Sequence, residues 1–125
     1  METKIEYKFD PSSGILYKYH KGSITIKDII TSWESALNNG IIPNKAIKGF
    51  ILDYLQANFN ISIEDYMQIA DCYTKHIDIF RNYKIAIITE TPADIVIPIL
   101  VKQLDKGYTS KPFCTVAEAI KWVLS

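Results

Sequence analysis

The sequence predicts an α/β domain built on a mixed β-sheet, with an N-terminal antiparallel hairpin, parallel central strands and about four flanking helices. Three observations lead there. Thr3, Ile5, Tyr7 and Phe9 alternate with Glu2, Lys4, Glu6 and Lys8, the period of a strand with one wet face. Two later runs, Ile47 to Tyr54 and Lys84 to Thr89, are apolar on both faces, as buried parallel strands are. Segments with apolar residues at helical spacing separate and follow these runs, which implies crossover connections.

The elements follow in order. Asp10-Pro11-Ser12-Ser13-Gly14 is a turn by composition, and Ile15 to His20 is the second strand of the hairpin. His20 closes that strand, read as exposed, with no partner evident in the sequence. Ile26, Ile29, Ile30, Trp33 and Leu37 define a helix that Asn38-Asn39-Gly40 stops. Ile63, Tyr66, Met67, Ala70, Tyr73 and Ile77 define a second helix. Residues 92–105 read as a third: Pro92 suits the first helical position, Gly107 stands where a stop belongs, and Pro98 predicts a kink. A short strand is expected near Lys111 to Cys114, and Val116, Ala119, Ile120, Val123 and Leu124 close the chain as a final helix.

Each predicted helix opens on a hydroxyl residue three positions before an acid: Thr25 and Asp28, Ser62 and Asp65, Thr91 and Asp94, Thr115 and Glu118. This is the capping-box pattern, in which the hydroxyl accepts an orphan amide and the acid complements the helix N-terminus. Ser62 is thereby expected to cap the second helix.

Composition excludes several classes. The 125 residues suit one domain, 1–125, with a core that needs no staples. Fourteen basic and fourteen acidic side chains cancel, so no global field draws in nucleic acid. No run approaches the ~20 apolar residues of a membrane span, and METKIEYKFD lacks the apolar stretch of a signal peptide. With only Cys72 and Cys114, widely spaced, a disulfide framework is not expected, and the cytoplasm is the expected compartment.

The layout, the buried strand ending in Asp53, KIAIIT followed by a helix, and the ending KPFCTVAEAIKWVLS together resemble the STAS-like or SpoIIAA-like proteins. That group includes the anti-sigma-factor antagonists and a larger set of uncharacterised bacterial proteins. The resemblance spans nearly the whole chain and implies a mixed sheet flanked by helices and binding to protein partners. In the antagonist branch a hydroxyl residue at the second helix start, within an Asp-Ser-Ser-Gly type motif, is phosphorylated by the partner kinase. The matching segment here is Ile61-Ser62-Ile63-Glu64, without the preceding acid, the second serine or the glycine, so the resemblance points to the uncharacterised branch. A phosphate on Ser62 would also face repulsion from Glu64 and Asp65.

Asp53, with Thr89 and Thr91, marks a candidate ligand groove at the carboxyl ends of the central strands, where α/β proteins bind ligands. Cys72 and His76 share a helix face at a spacing that suits two metal ligands, but nothing supplies two more, so no metal is expected. The glycines stand singly, leaving no phosphate-cradling loop and no expected cofactor. The third predicted helix carries more apolar residues than one core contact needs, which makes Ile95, Ile97, Leu100, Val101 and Leu104 a candidate interface. The expected function is therefore a non-catalytic binding or regulatory module acting through protein contact, including self-association as a homodimer. A carrier of a small apolar molecule or lipid is the alternative, prompted by the same apolar surplus and by the family's distant fold similarity to lipid-transfer domains. A small enzyme comes third.

Overall fold

The computed structural model describes residues 4–90, 92–104 and 107–125. Five strands form one sheet in the order β1 (Ile5–Asp10), β2 (Ile15–Ile24), β3 (Gly49–Phe59), β4 (Lys84–Ile88) and β5 (Thr109–Phe113). Strands β1 and β2 are antiparallel, and every later pairing is parallel, so the mixed sheet expected from the sequence is present. The helices are α1 (Ile26–Asn38), α2 (Tyr66–Lys75), α3 (Ile77–Phe80), α4 (Pro92–Gln103) and α5 (Val116–Val123).

The sheet separates two cores. On one face Leu16, Phe50, Leu52 and Ile85 pack with Ile29 and Trp33 of α1, Ile69 and Tyr73 of α2, Phe80 of α3, and Ile97 and Val101 of α4. On the other, Ile15, Ile51, Ala86 and Ile88 pack under Ala119 and Val123 of α5. Both sides of β3 and β4 are thus covered, which explains why those runs carry no polar alternation.

Gly49 sets how close α5 lies to the sheet. A Cβ there would fall 2.6 Å from Val123 Cγ1 and 3.0 Å from the Lys84 carbonyl oxygen, so glycine is required for that approach. Gly14 has φ +80 and closes the hairpin turn, its amide donating to Asp10 O at 2.8 Å.

Three sequence expectations change. Strand β3 runs on to Phe59, because its register with β2 shifts between Tyr19–Asp53 and Lys21–Gln56, and pairing then resumes with one extra residue on β3. The single helix expected from Ile63 onward is a 3₁₀ turn over Ile63–Asp65, then α2, then α3. The break at His76 starts a fresh turn, with the Ile79 and Phe80 amides donating to His76 O, and this seats the Phe80 ring 5.1 Å from Trp33. The last strand begins at Thr109, ahead of the expected Lys111.

The caps divide. Thr25 and Asp28 form a complete capping box, and Thr115 accepts the Glu118 amide. Ser62 caps nothing through its side chain: its hydroxyl donates to the Glu64 carboxylate and only its backbone oxygen takes the Asp65 amide. Here the first turn is 3₁₀, and the nearby carboxylate competes for the hydroxyl. Asp94 is likewise diverted, accepting the Phe59 amide at 3.2 Å and tying the start of α4 to the end of β3, while Thr91 lies outside the described residues.

Candidate functional site

The β3–α2 connection leaves the sheet at Phe59 and reaches α2 through Ser62, Ile63, Glu64 and Asp65. Ser62 is exposed on this connection. Beside it Ile63 is 61% and Met67 51% exposed, although both continue the apolar stripe of α2. Tyr66 between them packs partly buried against the core and Ile69 and Ala70 are buried, so Ile63 and Met67 are the side chains that present apolar surface to solvent at the head of the helix.

Helix α4 explains most of its apolar surplus by packing inward. Ile97 and Val101 are buried against the main core, and Ile95, Leu100 and Leu104 are half-buried. The expected interface is corrected accordingly: Ile97 and Val101 are core residues of this chain, while Val96 and Ile99, 38% and 41% exposed, are the apolar side chains α4 offers outward. The void beneath α4, lined by Tyr54, Ile69, Ile97, Pro98 and Val101 among others, is only about 20 Å³. That holds about one water and no lipid.

Of the expected groove, Asp53 and Thr89 are the described members, and they do not face each other. Asp53 and Ile88 are register partners, so Thr89, one residue on, projects to the opposite face of the sheet from Asp53. Thr89 is buried, its amide donating to Phe113 O at 3.1 Å and its hydroxyl without a partner among the described residues. Thr91 lies outside the described residues. Asp53 instead accepts the Leu55 amide at 2.8 Å, a local turn bond. It borders an open cleft of about 300 Å³ with Lys4, Glu6, Tyr19, Lys21 and Gln56.

Cys72 and His76 also part company. Burial pushes the Cys72 thiol up to about 11, against the form that attacks or ligates. His76 Nε2 lies 3.1 Å from Glu34 Oε1 on α1. Among the described residues no three His, Cys, Asp or Glu side chains converge on a metal position.

Sequence reasoning missed two buried polar side chains. Lys18 is 1% exposed in the middle of β2, with Nζ 3.8 Å from the Trp33 ring centroid and no hydrogen-bond partner among the described residues. Burial holds its pKa well below the ordinary lysine value. His20, read as exposed, is buried and stacks on Tyr54 at 3.8 Å, interplanar angle 10°. Its Nδ1 lies 3.0 Å from Asp53 O, and since a carbonyl only accepts, Nδ1 carries the proton. Burial first, and Lys18 second, push its pKa down to about 3, so the ring is neutral at pH 7. The signal for both was weak, because each alternating half of Ile15 to His20 contains apolar residues and either half could face inward.

A mixed sheet with an antiparallel first hairpin, four parallel-paired strands and helices on both faces is the STAS-like, SpoIIAA-like fold. Two solved structures are similar throughout. One is an uncharacterised protein of the DUF3478 family with a SpoIIAA-like fold from Shewanella loihica PV-4, 17% identical with a TM-score of 0.59, covering 98% of each chain. The other is the anti-sigma factor antagonist SpoIIAA in its unphosphorylated form, 12% identical with a TM-score of 0.53, covering 95% of this chain and 96% of that one. No family model and no curated protein matches the sequence.

Proposed function

We propose that this chain is a non-catalytic binding or regulatory module of STAS-like type, working in the cytoplasm and docking a protein partner on the surface of Ser62, Ile63 and Met67 together with Val96 and Ile99. The observation that carries this reading is the exposure of Ile63 and Met67 at the head of α2, at 61% and 51% the most exposed large apolar side chains among the described residues. The bond from Phe59 to Asp94 supports it by holding the start of α4 against the strand that leads into this segment. A fold shared with an anti-sigma factor antagonist agrees with a protein partner.

In this reading Ser62 is a contact residue. Its hydroxyl is already engaged by Glu64, and a phosphate there would meet that carboxylate at close range. The burial that raises the Cys72 thiol argues against its use as a nucleophile. The apolar-carrier alternative has no chamber beneath α4 to support it.

The test is affinity capture from the native host with wild type, an Ile63→Lys/Met67→Lys variant and a Leu124→Lys control at another exposed apolar position. A protein retained by wild type and control but lost by the double variant is expected. Identical retention by all three would remove the surface from consideration.

A further inference from the structure

Strand β1 is the outer strand of the sheet, and its free edge has a specific polarity. In the hairpin Lys21 donates to Lys4 O, so Lys4, and by alternation Glu6, Lys8 and Asp10, turn their backbone groups toward β2. Ile5, Tyr7 and Phe9 therefore direct their amides and carbonyls outward, unpaired within the sheet. Their side chains are half-buried against the main core, whereas Glu6 and Lys8 stand exposed on the opposite face.

We propose that β1 pairs antiparallel with β1 of a second copy of this chain, about a two-fold axis through Tyr7, to make one continuous sheet. Backbone polarity requires Ile5, Tyr7 and Phe9 to face one another across the new ladder, which leaves three central registers. Centred on Glu6, the strand sets Glu6 against Glu6 and Lys4 against Lys8. Centred on Lys8, it sets Lys8 against Lys8 and Glu6 against Asp10. Centred on Tyr7, it sets Glu6 against Lys8, Lys8 against Glu6, and Lys4 against Asp10, so every facing pair is of opposite sign.

These charged residues occupy the non-hydrogen-bonded positions of the new ladder, where facing side chains come closest. On the other face Ile5 meets Phe9 and Tyr7 meets Tyr7, covering apolar groups that the single chain leaves half-open. Lys4 already reaches Asp28 at 3.4 Å, and Asp10 accepts Ser12 and Ser13, so the inner Glu6 and Lys8 pairs carry the selectivity. Neither has an ion-pair partner among the described residues of the monomer. The register is self-complementary, as a two-fold interface demands, and it leaves the surface around Met67 free.

Sedimentation equilibrium on wild type, Glu6→Lys, Lys8→Glu and the doubly swapped variant tests this. Both residues are exposed, and circular dichroism confirms that each variant is folded. Wild type dimerises, each single swap weakens the dimer roughly tenfold or more, the double swap restores it, and an equimolar mixture of the two single variants forms the heterodimer. A wild type that stays monomeric throughout a concentration series overturns the proposal. So do single variants as dimeric as wild type, or a mixture that associates no better than its components.

Discussion

Lys18 Nζ lies 3.8 Å from the centroid of the Trp33 ring, inside the main core, with the Tyr7 ring at 5.8 Å and the Cys72 thiol and His20 close enough to interact electrostatically. A desolvated cation–π contact contributes about 2 kcal/mol, whereas burying an ammonium costs several. The cost wins, and Lys18 is a net destabilising residue in this fold. Lys18→Met, which keeps the stem and removes the amine, is expected to raise stability by on the order of 1–3 kcal/mol in urea denaturation. The pH dependence has a definite sign. The unfolded amine binds a proton more tightly than the folded one, so wild-type stability rises with pH from the depressed folded value toward the ordinary lysine value of 10.5, and Lys18→Met removes that slope. A loss of stability in this variant would show that the contact with Trp33 outweighs the burial.

His20 repeats the logic at lower pH. Its folded pKa of about 3 against 6.5 unfolded means that stability rises with pH between those values and is unaffected by this residue above them. His20→Phe, which retains an aromatic face for Tyr54, is expected to flatten the acid limb of the stability profile. An unchanged acid limb would mean that the ring is already charged in the folded state.

The two serine or threonine positions that look alike in sequence are expected to behave differently. Thr25→Ala removes an acceptor for the Asp28 amide and should cost ~1 kcal/mol. Ser62→Ala removes a hydroxyl that serves only Glu64, on the surface, and should stay within ~0.5 kcal/mol of wild type. Equal losses by thermal denaturation would contradict the assignment.

Helix α4 offers a sharper contrast two residues apart. Ile97→Asp buries a charge in the main core and should prevent folding or cost more than ~3 kcal/mol, while Ile99→Asp should leave stability within ~0.5 kcal/mol. If Ile99→Asp proved the more damaging, the inward face of α4 would be wrongly identified.

Gly49→Ala should lose ~1–3 kcal/mol through its clash with Val123. Adding Val123→Ala opens that space, so the double variant should be more stable than the two separate losses predict, by about 1 kcal/mol. Simple additivity would show that α5 moves away at little cost.

Much of this architecture is legible in the residues. The polarity of β1, the all-apolar runs of β3 and β4 and the Thr25 and Thr115 caps each follow from local rules, because a strand buried on both faces and a capped helix leave direct marks. The orientation of β2 is not legible, since Leu16, Lys18 and His20 look more like a wet face than Ile15, Tyr17 and Tyr19. Tertiary packing decides, because Trp33 and Tyr54 supply the rings that cover the two polar side chains. The candidate site is half legible. The apolar stripe from Ile63 to Ile77 is in the sequence, but periodicity alone does not show that Ile63 and Met67 stay in solvent while Tyr66 packs inward, or that Ser62 gives its hydroxyl to Glu64.

Docking of a protein partner at the head of α2, the function proposed above, is open to site-specific photocrosslinking in the native host. A photoreactive residue at position 67 is compared with one at position 124, both exposed apolar positions of this chain. A discrete crosslinked partner is expected from position 67, absent from position 124 and lost on Ile63→Lys. No adduct from position 67, or the same adducts from both positions, would contradict it.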